Sequence, residues 1–349
     1  MLFHVLPKDE LASLFEILAI NRIVGPTRKA ISKDGNPIWA FDWLNSFDEL
    51  DLEYTSTSQS PKKYFLPYQE TLSTFTVNES GWEKNVDYNH YHPNVFFGMH
   101  ACDINALNRL DKVMLESVYP NPYYAGKRKN MFIIGVGCAP QPHCFCRSMD
   151  ADSVLHGFDM FLTDIGNKYF VEIQSATAFE ILKNIRTTEA TNHEHAMFLQ
   201  AVEERNTRFT CHVDTTDLSK ILDMEFKSEE WVKWGDKCLS CGTCANVCPT
   251  CYCFGIQESV DIDLKGARKE AHLYSCNLVD FAQVAGGHNF RPESHTRLKY
   301  RYYHKHRGFV EAFEEALCVG CGRCGQACLA GITVPEVIGS IRQEAQQND

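Results

Sequence analysis

Cys238, Cys241, Cys244 and Cys248 are spaced C-x2-C-x2-C-x3-C, and Cys318, Cys321, Cys324 and Cys328 repeat that spacing. This is the bacterial ferredoxin run for [4Fe–4S] clusters. A cubane offers one coordination site on each of its four irons. Three closely spaced thiolates wrap three corners, and the fourth must approach from the far side, so it comes from the other motif. The expected sets are Cys238, Cys241 and Cys244 with Cys328, and Cys318, Cys321 and Cys324 with Cys248. Gly242 and Gly322 stand at matching positions, where a positive φ turns backbone N–H groups toward the cluster sulfurs. Structural zinc is the alternative, but it is usually held by two separated C-x2-C knuckles, which the doubled 2-2-3 spacing fits poorly. Pro249 follows the first motif and Leu329 the second, and neither is a ligand. Two cubanes that exchange ligands lie close together, and adjacent one-electron centres form a wire.

The rest of the chain bounds the setting. With 349 residues it is long enough for two or three domains. Its net charge of −11 opposes binding to nucleic acid or an anionic membrane. The first residues, MLFHVLPKDELASLFEILAI, have no basic segment, and Lys8, Asp9, Glu10 and Glu16 interrupt any apolar core, so no secretory signal is read there. No apolar run is long enough to predict a membrane span. The sixteen cysteines are therefore expected in a reducing cytoplasm, as metal ligands or redox groups rather than a disulfide framework.

Residues 1–210 read as a mixed α/β domain and residues 211–349 as a helical, ferredoxin-like dicluster domain, an α+β chain overall. Leu11, Leu14, Phe15 and Leu18 mark one helix face. Ile23-Val24, Ile38–Phe41, Tyr64–Leu66, Val95–Gly98 and Met131–Val136 read as strands, and MFLTDI with YFVEI as a hairpin across Gly166-Asn167. Helices are expected near 176–185 and 193–205. No strand–helix repeat is regular enough to predict a doubly wound sheet, and no glycine-rich nucleotide fingerprint is present. From Asp217 onward the reading is helical, through SEEWVKWGDK, Gly308–Leu317 and a closing helix with Pro335 in its first turn.

CLSCGTCANVCPTCYCFG, AGGHNFRPESHTRLKYRYYHKH and CVGCGRCGQAC resemble the iron–sulfur electron-transfer subunit of anaerobic sulfite reductase and the β subunit of sulfhydrogenases. This family includes the dicluster subunit of flavin oxidoreductases coupled to heterodisulfide reductase. SPKKYFLPYQETL, HACDINALNRLD, CFCRSMD and GFDMFLTDIGNKYFVEI extend the resemblance from about residue 60 to about residue 330. It implies an electron carrier without a catalytic site of its own. Such a subunit joins an FAD- and NAD(P)H-binding oxidoreductase subunit to a terminal reductase or hydrogenase subunit. A reading of another class is an iron–sulfur sensor or regulatory protein, which needs only one labile cluster and a partner-reading module.

Several thiols remain. Cys102, Cys138, Cys144 and Cys146 converge if strands Val95–Gly98 and Met131–Val136 are neighbours, and would then hold a third cluster, [2Fe–2S] or [4Fe–4S]. Unrelated buried thiols, or a zinc site, are the alternatives. Cys251, Cys253 and Cys276 read as small buried residues, or as replacements for a ferredoxin ligand, and Cys211 as a core residue. The basic, aromatic stretch RPESHTRLKYRYYHKHR is expected to balance thiolate and cluster charge or to form a docking face. His288, His304 and His306 are read as hydrogen-bonded structural residues, with cluster tuning or proton carriage as the alternative. No catalytic residue is assigned.

Overall fold

Short apolar runs closed by turn residues become most of the strands. The computed structural model describes residues 2–86, 88 and 94–348; positions 1 and 349, the outer ends of the two expected domains, lie outside the described residues. The strands are β1 (Leu2–Pro7), β2 (Arg22–Ile31), β3 (Pro37–Leu44), β4 (Gln69–Asn78), β5 (Gly81–Asn85), β6 (Asn94–Met99), β7 (Met131–Val136), β8 (Met160–Asp164), β9 (Lys168–Ile173), β10 (Thr188–Glu189), β11 (Phe254–Val260) and β12 (Gly266–Leu273).

The larger sheet has the order β10-β1-β9-β8-β7-β6-β2-β3. Its centre, β2, β6, β7 and β8, is parallel, and both flanks are antiparallel. A parallel α/β core thus exists where the strand–helix pattern alone predicts none. Its strands β6 and β7 read as nearly continuous apolar runs because both faces are covered. One face carries the helix Ala101–Met114, which buries Ile104, Leu107 and Leu110. The predicted hairpin forms as β8–β9, and Leu11, Leu14, Phe15 and Leu18 are all buried on the helix Leu11–Leu18.

Tyr64–Leu66 is not a strand. Ser60 accepts from the Lys62 N–H and Pro61 presets φ, so Pro61–Tyr64 winds into a 3-10 turn. The helical reading after Asp217 also needs correction, because β11 and β12 form an antiparallel hairpin between the cysteine motifs. Both strands are largely exposed or half-buried; β12 carries Arg268, Lys269 and Glu270 in succession, and Gly255 and Glu258 interrupt the apolar residues of β11, so the apolar signal of a strand is weak there. They pair with β4 and β5 in a second sheet, order β11-β12-β4-β5, drawing two strands from each side of residue 210.

The remaining C-terminal part is helical. Helices Leu218–Met224, Glu230–Lys237 and Val334–Asn348 pack around Trp231, Leu222, Val337 and Ile341, all nearly inaccessible. Opposite them runs Ser294–Tyr303, a π turn at His304–Gly308, and Phe309–Phe313. The buried residues on this run repeat every four positions: Arg297, Arg301, Lys305 and Phe309, and beside them Leu298, Tyr302 and His306. An α-helix advances 3.6 residues per turn, so a four-residue repeat would drift by roughly 40° per turn. The wider π turn offsets that drift and holds Lys305 and His306 on the inner face. Among the described residues no helix is long and apolar enough to cross a membrane.

Candidate iron–sulfur centres

Each cysteine motif folds into the same tight turn. Gly242 (φ +76°) precedes the short helix Thr243–Asn246, and Gly322 (φ +72°) precedes Arg323–Gln326. The predicted positive φ is present at both. The position two residues earlier is also left-handed in both turns, as Ser240 (φ +50°) and Gly320 (φ +66°). A Cβ at Gly322 would lie 2.2 Å from the His143 carbonyl oxygen, so only glycine fits there.

Cys318, Cys321, Cys324 and Cys248 line one pocket. They are the three thiols of the second motif and the fourth of the first. Arg301, Tyr302, Lys305 and His306 complete its wall. In the other set, Asn277 Nδ2 donates to Cys244 Sγ at 3.1 Å, and Cys238 and Cys328 pack against the same apolar cluster. Cys241 is exposed. Burial pushes the Cys244 thiol up to about 11, against the pull of Arg301, and the next influences are the neighbouring Cys324 and Cys276 thiols. Cys244 and Cys324 thus bring the two sets together.

The charge distribution tests whether this arrangement suits an anionic iron–sulfur group. Lys62, Arg301 and Lys305 are buried. Their nearest oxygen partners are a hydroxyl and peptide carbonyls: Lys62 Nζ donates to Cys251 O at 2.8 Å, Arg301 Nη2 to Cys244 O at 3.3 Å, and Lys305 Nζ to Thr250 Oγ1 at 2.7 Å. Burial opposes the charged form of Lys305, but the thiols of Cys248 and Cys251 outweigh it and hold the ammonium above its ordinary range. The same balance, led by Cys244 and Cys251, holds Arg301 charged. Burial lowers Lys62 despite Cys251 and Cys248, but Arg301 and Lys305, buried without a carboxylate, are costly unless the facing sulfurs carry negative charge. Thiolates ligating [4Fe–4S] groups supply that charge, so the residues fit the group. Among the described residues, no three His, Cys, Asp or Glu side chains are arranged to hold a single metal ion. The second-motif thiols line one pocket together with Cys248.

The basic stretch is therefore largely internal. Arg297 is buried and ties the first turn to its surroundings through Ser240 Oγ and the carbonyls of Asn277 and Arg291. Arg307 turns outward to Asp223. Of His288, His304 and His306, all read as hydrogen-bonded, His306 departs from that role, because its Nδ1 is buried without a partner.

The N-terminal thiols also come together. β6 and β7 are adjacent and parallel, so Cys102 and Cys138 leave the same carboxyl edge of the sheet, where α/β proteins gather their sites. A register shift at the end of β6 marks where that strand gives way to His100 and Cys102. Cys146 feels Cys138, Cys144 and Cys321, after burial, which pushes its thiol well above the usual range. Cys102, Cys144 and Cys321 pack around the buried Cys146 and Val319. Asp103, one residue past Cys102, accepts both Arg323 Nη1 and Nη2 at 2.7 Å, in a pair that is almost fully buried. Arg323 sits between Cys321 and Cys324, so this pair locks the N-terminal thiols to the second motif. Local sequence marks Asp103 only as a residue near a helix start. Nothing local pairs it with a residue so distant in the chain.

Of the leftover thiols, Cys251 and Cys276 are buried. Cys251 hydrogen-bonds the Cys248 thiol and Cys253 hydrogen-bonds Cys276, which holds Cys248 and Cys253 below the ordinary thiol range. Cys211 packs at the margin of the helical core.

Fold and thiol sets together define a dicluster iron–sulfur protein. The family model described as a 4Fe-4S dicluster domain matches residues 237–332. Sulfhydrogenase 2 subunit beta of Pyrococcus furiosus is 36% identical over 326 residues, covering 93% of each chain. The chain belongs to the sulfhydrogenase β-subunit family. No solved structure matches it.

Proposed function

We propose that the chain is an electron-relay subunit that connects an FAD- and NAD(P)H-binding oxidoreductase subunit with a terminal reductase or hydrogenase subunit. The observation that carries this reading is the crossed set, Cys248 lining one pocket with Cys318, Cys321 and Cys324. Cys238, Cys241, Cys244 and Cys328 would ligate one [4Fe–4S] group, and Cys318, Cys321, Cys324 and Cys248 the other. When bound, these groups supply one-electron chemistry, with potentials in a span of roughly −700 to +450 mV. The protein's residues do the rest. Arg301 and Lys305 offset thiolate charge, Asn277 donates to Cys244, and Phe145 and Tyr302 keep water from the second set. The exposed Cys241 supports the first set as the one nearer a partner.

Cys102, Cys138, Cys144 and Cys146 would hold a third iron–sulfur group, [2Fe–2S] or [4Fe–4S], next to Cys321. On this reading residues 1–210 would carry the third set and residues 211–349 the two cubanes. Sixteen free thiols support a reducing, cytoplasmic setting. Anaerobic purification tests the assignment. About eight irons per chain without the third set, and more with it, are expected, with paramagnetic cubane signals after dithionite. The purified chain should become reduced by NAD(P)H only when a flavoprotein partner is added. Zinc in place of iron, or substrate turnover by the chain alone, would overturn the reading.

A further inference from the structure

The two cysteine turns are near copies, yet their surroundings differ at one buried nitrogen. His306 is 2% exposed, and its Nδ1 has no hydrogen-bond partner. Its side chain lines the same pocket as Cys248, Cys318, Cys321 and Cys324. Its position is fixed from several sides. The π turn keeps it on the inner face of the helical run, Ser219 Oγ donates to its carbonyl oxygen at 2.9 Å, and the Tyr302 ring stacks on its imidazole with centroids 6.1 Å apart. A ring nitrogen buried with no protein partner is rare in folded proteins, and one that carries the N–H needs an acceptor. The sulfurs of a group held in that pocket are acceptors. The first set has a different donor, the Asn277 amide on Cys244.

We propose that His306 donates a hydrogen bond from Nδ1 to a sulfur of the group held by Cys248, Cys318, Cys321 and Cys324, and so sets that group's reduction potential apart from its neighbour's. This rests on the ligand assignment above. A donor to cluster sulfur favours the more negative, reduced form, so its removal lowers the potential. His306 is a positioning and tuning residue, not a catalytic one.

The test is an anaerobic redox titration followed by EPR on the iron-loaded full chain, as wild type, His306→Phe and His306→Gln. In His306→Phe one cubane signal is expected to become at least tenfold harder to reduce, a downward shift of about 59 mV for one electron. The other signal is expected to move less than threefold. His306→Gln, which keeps an N–H donor, is expected to recover part of the shift. Unchanged potentials at wild-type iron content, or equal shifts of both signals, would overturn the inference. Pulsed EPR of wild-type protein carrying 15N-histidine gives a reading independent of variant folding. A 15N coupling on one cubane signal that disappears in His306→Gln supports the bond to imidazole, and no such coupling in wild type overturns it. Absence of any cubane signal in wild type would overturn the ligand assignment itself.

Discussion

The Arg323–Asp103 pair is the most heavily committed contact between the N-terminal sheet and the second cysteine turn. Both side chains are almost wholly buried, at 3% and 0% exposure, and both guanidinium ends reach the carboxylate at 2.7 Å. Arg323 also donates to the carbonyl and hydroxyl of Thr57. Removing one partner of such a pair leaves an uncompensated buried charge, which costs about 3–5 kcal/mol. Replacing both with apolar residues of similar volume is often near neutral. Arg323→Met is therefore expected to promote opening of the 318–328 turn by roughly two to three and a half orders of magnitude, at 1.4 kcal/mol per tenfold. The paired variant Asp103→Leu with Arg323→Met should recover most of that loss. Hydrogen–deuterium exchange of the 318–328 amides in iron-loaded protein reads the opening directly, and the rate of iron capture by a chelator reads its consequence. Exchange within threefold of wild type in Arg323→Met, or a double variant no better than the single, would refute the argument.

Other outcomes follow from the same geometry. Gly322→Ala places a Cβ 2.2 Å from the His143 carbonyl and should lose about four irons per chain, whereas Gly331→Ala, equally left-handed at φ +65° but facing open space, should retain its iron by metal analysis. Serine at Cys251, Cys253 or Cys276, one at a time, should leave the iron count unchanged, and a loss of about four irons from any one would make that residue a ligand. Glu194 is held down to about 2 by Lys168 and by the Thr191 side chain and N–H at the start of helix Asn192–Thr207. A carboxylate lowered in the folded state adds stability above its ordinary value near 4.3, and that stability is lost as pH falls toward 2. The protection of amides at the start of this helix, taken relative to their intrinsic exchange rate at each pH, should therefore fall across that window in wild type and stay flat in Glu194→Gln.

Much of the candidate site was legible because local spacing carries it. The thiol positions follow from a short-range repeat, and the left-handed turn at Gly242 and Gly322 is a backbone demand that glycine reveals. Helix and strand periods placed Leu11–Leu18, β7 and the β8–β9 hairpin. The hairpin β11–β12 escaped because its strands bury little on either face: the alternate apolar residues of β11 are broken by Glu258, and β12 places three charged residues in a row. Its partner strands β4 and β5 lie far away in the chain. The buried role of Arg297, Arg301 and Lys305 was only half visible, since a basic run reads the same whether it faces water or thiols.

By itself, then, the sequence determined the spacing of the candidate sulfur donors and the conformation of the turns that present them, because both depend on residues within one turn of chain. The crossed grouping of the donors was already expected from their spacing; tertiary structure alone decided which cations face them, and that Asp103 meets Arg323 and His306 meets the second set. Those are long-range contacts. They arise from burial and charge compensation between segments whose separate sequences hold no record of each other.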